Sequence, residues 1–140
     1  MHLQFFHSDH FWIKSITKSN RPIGIFSYSS NMKKSRYRNC LVIFTSIEKT
    51  DEKLNCDAAI KEIVNIYKEI KSNSIVIVPY SHQANIETNS QKALGLLQYL
   101  FQNLQETCQE VPVYFGDFGY NNAWNIRVKS HKLSCLYRKI

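Results

Sequence analysis

The chain is 140 residues long, 44% hydrophobic and 21% charged, with only three prolines and four glycines. That is the length of one ordinary domain with apolar material for a real core, and it excludes a collagen-like, disordered or low-complexity chain. The 18 Lys and Arg against 11 Asp and Glu give a net charge of +7, which suits a polyanionic partner.

His2 to His7 reads as a short strand, with Leu3 and Phe5 on one face and Phe6 on the other. The polar His7-Ser8-Asp9 reads as its end. Phe11 to Ile16 is expected to be a second strand. From Thr17 to Asn39 a loop is expected, with one hairpin strand at Ile23 to Tyr28. Between His10 and Ile47 there is no acidic residue, while Lys14, Lys18, Arg21, Lys33, Lys34, Arg36 and Arg38 are all basic. The other eleven basic residues are matched by the eleven acidic ones, so the whole excess sits in this quarter of the chain. Such a window suits nucleic acid; a solubilising loop and an acidic membrane surface are the competing readings.

Cys40 to Ile47 is a near-continuous apolar run, as a central strand covered on both faces requires. A polar loop, Glu48 to Asn55, follows. Asp57 to Lys71 reads as a helix, because Ala59, Ile60, Ile63, Tyr67 and Ile70 recur at helical spacing. Asp57 in its first turn and Lys68 and Lys71 in its last would suit the helix dipole. Ser74 to Pro79 is a short β-branched strand, with Tyr80-Ser81-His82 just past its end. Thr88 and Gln91 form a capping-box pattern ahead of a second helix, whose buried stripe would be Ala93, Leu94, Leu97, Leu100, Phe101 and Leu104. Val111 to Phe115 leads into a glycine-punctuated stretch ending at Gly119. Ala123 to Lys129 alternates as a half-buried strand, and Leu133 to Tyr137 is a last strand after the Ser130-His131 turn. The order β, β, β, α, β, α, β, β means one α/β domain over residues 1–140, a mixed sheet with two helices.

No apolar run approaches the roughly 20 residues of a membrane-spanning helix, and MHLQFFHSDH has no cationic start, so it is not a signal peptide. Cys40, Cys56, Cys108 and Cys135 are widely spaced, with no metal-binding pair among them. They read as reduced thiols of a cytoplasmic protein. His7, Asp9 and His10 are of ligand type, but two histidines three apart are a common coincidence and no metal site is expected. Ser46, Ser81 and Ser134 lack the glycines of a nucleophile elbow. No phosphate-binding glycine loop is present and no cofactor is expected. His82, on a loop at a strand end, is placed for proton transfer or for donating to a ligand oxygen; a histidine bonded to backbone is the structural alternative. Phe118, Tyr120 and Trp124 could stack a base, though aromatics in such numbers are more often core.

Five segments in order resemble the archaeal N-terminal editing domain of threonyl-tRNA synthetase. They are HSD at His7 to Asp9, SIEKTDE at Ser46 to Glu52, PYSH at Pro79 to His82, FGYNNAW at Phe118 to Trp124 and HKLSCLYR at His131 to Arg138. The resemblance implies a D-aminoacyl-tRNA deacylase-like fold, a homodimer, and hydrolysis of the seryl ester at the 3′ end of tRNA(Thr), with the terminal 2′-OH assisting water. Its pocket is built largely from backbone near Ile47 and Ser81, with Glu48, Pro79, Tyr80, Tyr120 and Asn121 as further substrate-binding positions and His82, Asn122 and Cys135 at catalytic ones. Lys33, Lys34, Arg36 and Arg38 are the RNA-binding candidates. The catalytic part of a threonyl-tRNA synthetase is a further expected partner, and no membrane is. The chain departs from the family where FGY is typically followed by tyrosine and lysine, here Asn121 and Asn122, and where a glutamate is usual, here Cys135. An impaired tRNA-binding or dimerising module is therefore the second reading.

Overall fold

The structure is a computed structural model and describes residues 1–18, 36–81 and 89–140. The elements are β1 (His2–Lys18), β2 (Arg36–Ser46), α1 (Lys53–Ile70), β3 (Ser74–Pro79), α2 (Ser90–Thr107), β4 (Val113–Phe115), β5 (Tyr120–Val128) and β6 (Cys135–Lys139). They make a six-stranded mixed sheet in the order β4-β3-β2-β1-β5, with β6 also paired to β1. β2, β3 and β4 are parallel, linked through α1 and α2. β1 runs antiparallel to β2, β5 and β6.

Both helices pack on one face. There Leu3, Phe5, Leu41, Ile43, Ile75 and Ile77 from the sheet meet Ala59 and Ile63 of α1 and Leu97, Leu100 and Leu104 of α2. A second cluster lies on the opposite face: Phe11, Ile13, Tyr37, Cys40, Val42, Phe44, Val76 and Val78. The run from Cys40 therefore alternates between two cores, which is why it shows no polar face.

The expected pair of N-terminal strands is a single strand. His7, Ser8 and Asp9 do not end it, because they sit at a kink. Ser8 faces Cys40 and His10 faces Arg38, and the register to β5 shifts between Ser8 and His10. Opposite Asp9, Asn39 adopts φ 47, a left-handed conformation that Asn tolerates better than most residues. Phe6 before the kink, and Phe11 and Ile13 after it, all reach the second core, so the inward parity changes between them. The side chains there tie the kink down. His7 Nδ1 lies 2.8 Å from His131 Nε2, and His7 Nε2 lies 2.9 Å from Asn39 Oδ1. Lys129 Nζ also donates to Asn39 Oδ1.

Other boundaries move as well. The loop expected from Thr17 is strand to Lys18, and β2 begins at Arg36 rather than Cys40. The hairpin strand expected at Ile23 to Tyr28 lies outside the described residues. α1 starts at Lys53, inside the expected polar loop, with Glu52 and Asn55 closing a capping box; Asp57 is past the first turn. α2 is capped by Asn89, whose side chain accepts from Gln91 N, and Thr88 lies outside the described residues. β5 begins at Tyr120 and β6 at Cys135, each offset from the expected strand. β3 has the expected bounds. No described helix is long and apolar enough to cross a membrane.

Candidate functional site

Parallel strands β2, β3 and β4 all end on one side of the sheet, and the loops leaving them converge there. The strand ladder continues past its last pair. Tyr80 N donates to Thr45 O at 2.9 Å and Gly116 N to Ile77 O at 2.8 Å. Ser46 Oγ donates to Tyr80 O. The backbone at Ser46 and at Tyr80 is thereby locked side by side, which fixes the two segments expected to supply the pocket.

Phe44, 3% exposed, forms the floor. Its ring lies 5.3 Å from Tyr80 and 5.3 Å from Trp124, with Phe6 at 5.8 Å and Phe11 at 6.3 Å. Two of the matching segments thus meet on one side chain: Tyr80 from PYSH and Trp124 from FGYNNAW; Phe6, which also packs there, faces Cys135 across the β1–β6 ladder. Trp124 remains 47% exposed, so the half-buried strand expected at Ala123 to Lys129 leaves its largest apolar residue open beside this floor. Phe118, by contrast, packs against the helix-side core.

The remaining candidates are arranged around that floor. Ile47 is buried, so its side chain serves the helix-side core. Pro79 faces Thr45 in the β2–β3 ladder, and Ser81 is half-buried at the edge of the described residues. Gly119 takes φ 78, a conformation open to glycine, and turns the chain into Tyr120. Tyr120 and Asn121 pair with Lys18 and Thr17 on β1, and Asn121 Nδ2 donates to Thr17 Oγ1 at 3.2 Å. Asn122 Oδ1 lies 2.9 Å from Ser15 Oγ, which also lies 2.5 Å from Asp117 Oδ2. One hydroxyl hydrogen can serve only one of those two acceptors at a time. Cys135 is exposed on β6, with Gln4 Nε2 3.6 Å from its Sγ. His82, Lys33 and Lys34 lie outside the described residues; Arg36 and Arg38 are exposed on β2.

Glu48 is anchored from below. Its backbone N–H donates to Asp51 Oδ2 at 2.6 Å, and Asp51 is 2% exposed. Its Oε1 lies 2.9 Å from His2 Nε2 and 3.7 Å from Lys139 Nζ. The His2 contact, reinforced by nearby positive charge including Lys139, holds the Glu48 carboxyl below its ordinary range, so it is an anion at neutral pH. His2 Nδ1 lies 2.5 Å from Tyr137 Oη. If Tyr137 donates there, Nε2–H is left to face Glu48. His2, Tyr137, Phe44 and Ser15 were not singled out by the sequence. Tyr137 lies within the HKLSCLYR segment, and His2 and Ser15 are marked by their cross-strand register with Ser46 and Asn122. Among the described residues no cluster of three or more His, Cys, Asp and Glu side chains could hold a metal ion.

The chain is 34% identical over 111 residues to the threonine–tRNA ligase editing subunit of Saccharolobus solfataricus, covering 79% of this chain and 28% of that protein. It is 32% identical over 147 residues to the threonine–tRNA ligase of Pyrococcus furiosus, covering 100% of this chain and 22% of that protein. The chain thus spans under a third of these relatives. A solved structure, that of c-Myc DNA unwinding element binding protein, superposes with a TM-score of 0.70 over 100% of this chain and 99% of that one, at 11% identity, a likeness of fold. The fold is the D-aminoacyl-tRNA deacylase-like mixed α/β arrangement that the five segments imply. The model of the archaea-specific editing domain of threonyl-tRNA synthetase matches residues 1–140, end to end, and the chain belongs to that family.

Proposed function

We propose that the chain hydrolyses seryl-tRNA(Thr), correcting a threonine enzyme that has accepted serine. Loss of one methyl discriminates by only about 1–3 kcal/mol in a binding pocket, so a second site that admits serine is needed. The observation that carries this reading is the convergence on Phe44 of Tyr80 and Trp124, beside the locked backbone of Ser46 and Tyr80. The open Trp124 ring, held over the Phe44 floor, suits the terminal adenine, and fixed backbone groups suit a small amino-acid head. With amides at Asn121 and Asn122, the activation of water falls to the substrate's own 2′-OH, helped by His82 and by the Glu48 anion. The active form is a homodimer, and the exposed Val128 on β5 and Tyr137 on β6 supply apolar surface for it.

The test is deacylation of seryl-tRNA(Thr) against threonyl-tRNA(Thr), with a seryl substrate ending in 2′-deoxyadenosine as control. Hydrolysis of the seryl ester alone, lost with the deoxy substrate, is expected. Equal rates on both seryl substrates would transfer the role to a side chain. A second reading, a tRNA-binding module without activity, is favoured by the Asn122 carboxamide, which offers no cation where the family has lysine. It predicts no hydrolysis until Asn122→Lys and Cys135→Glu are introduced together.

A further inference from the structure

The kink at Asp9 and Asn39 sorts the long β1–β2 ribbon into two faces. Phe11 faces Tyr37 and Ile126, and all three turn inward to the second core. The alternate residues therefore turn outward. His10 faces Arg38 on one side and Arg127 on the other. Trp12 likewise lies between Arg36 and Asn125, and Lys14 faces Ala123. Directly paired residues share a face, and adjacent strands lie about 5 Å apart. Arg38, His10 and Arg127 thus form one row across three strands, with Arg36 and Lys14 in the next rows. All five are exposed.

The fold extends the basic window with Arg127 from the C-terminal stretch, which after Asp117 carries basic residues and no acidic one. Asp9 is the carboxylate near this face, 4.0 Å from Arg127 Nε and 3.8 Å from Lys129 Nζ. The helical side has no such excess: α1 carries Lys53, Lys61 and Lys68 against Asp57, Glu62 and Glu69. We propose that the outer face of the β2–β1–β5 ribbon, with the Arg38–His10–Arg127 row at its centre, docks the sugar–phosphate backbone of the tRNA body while the 3′ end enters the site. This rests on the substrate being a tRNA. Two guanidinium groups, two strands apart on either side of His10, suit phosphate oxygens, which arginine binds through a planar fork.

The test measures binding of an uncharged tRNA(Thr) transcript to the full chain by fluorescence anisotropy between 50 and 200 mM salt. Arg38→Ser with Arg127→Ser is compared with Lys61→Ser with Lys68→Ser on α1, an equal loss of charge. Two lost phosphate contacts should lower the salt slope by about 1.8 and, referred to 1 M salt, weaken binding about 60-fold at 0.1 M. The α1 variant should stay within about twofold of the parent. Equal effects of the two variants, or none, would overturn the assignment. So would a ribbon variant that loses binding to phosphatidylserine vesicles yet keeps its tRNA affinity, which would assign the face to lipid. Because the tRNA is uncharged, the readout is separate from hydrolysis. A chain that binds through the ribbon but cleaves no ester refutes the deacylase reading alone.

Discussion

Phe44→Ala is the substitution that most directly tests the geometry of the site. Phe44 is 3% exposed and its ring meets Phe6, Phe11, Tyr80 and Trp124. Truncating a buried phenylalanine costs about 3–5 kcal/mol. A chain of 140 residues has about 7–21 kcal/mol in total, at 0.05–0.15 per residue. The variant should therefore fold, with Tm lowered by about 10 °C at roughly 3 °C per kcal/mol. Thermal and urea unfolding followed by far-UV circular dichroism measure that loss. Ile63→Ala on α1, where Ile63 is fully buried in the helix-side core, is the matched control. At a temperature where both variants are folded, Phe44→Ala should lose far more kcat/KM on seryl-tRNA(Thr). A cost below about 1 kcal/mol would refute a packed floor. Equal activity in the two variants would refute its part in holding the Tyr80 and Trp124 segments.

Three further outcomes are expected. His7 is 5% exposed, and burial, partly opposed by the bond to Asn39, holds its pKa below the ordinary value near 6.5. Lys129 and His131 push it the same way, while Asp9 opposes them. The unfolded chain therefore takes up the proton first, so the stability His7 contributes is whole above pH 6.5 and is lost as pH falls through its lowered pKa. Tm measured from pH 8 to 5 should fall on the acid side, and His7→Gln should flatten that fall. Burial pushes the Cys40 thiol up to about 12 and the Cys56 thiol up to about 11, and it raises that of Cys108, while Cys135 is exposed. Iodoacetamide at pH 8 should alkylate Cys135 alone in the folded chain; peptide mass mapping that finds Cys40 modified at a similar rate would contradict this. Tyr37 is 5% exposed and its hydroxyl has no hydrogen-bond partner among the described residues. Tyr37→Phe should stabilise the chain by about 1 kcal/mol in urea unfolding, and a loss of similar size would reveal a partner for that hydroxyl.

What the sequence made legible follows from how each signal is encoded. β3 is a short β-branched run between polar residues, and its bounds were plain. The stripe of α2 is periodic and local, and so was visible as well. β1 was split because His7, Ser8 and Asp9 favour turns, and here they serve a kinked strand whose continuity depends on Asn39 and His131, distant in sequence. α1 was begun late because Lys53 and Leu54 show no burial pattern, Leu54 being 80% exposed, and the cap is made by Glu52 with Asn55. Phe44 was hidden inside an apolar run in which every residue is buried, and no pattern in such a run marks one ring as a meeting point. The motif segments were legible as segments. Their meeting on one floor is a matter of register across strands, which a linear chain does not display.

The double pairing of β1 also bears on how the chain is made. One edge of β1 bonds to β2, complete once residue 46 has formed; the other bonds to β6 along His2 to Phe6 and to β5 along Ser8 to Lys18. Lys18 and its partner Tyr120 are separated by about 100 residues of chain, which a ribosome adds in about 5–20 s. Throughout that interval β1 is a strand with one open side, 17 residues long and free of proline. An open edge of that length is a template for other strands. Lys14 and Lys18 near its end give some protection, since charge on an edge discourages pairing between chains. β1 is thus closed only when β5 and β6 have been made, and those two strands are what turn a hazardous nascent edge into an interior strand of the sheet.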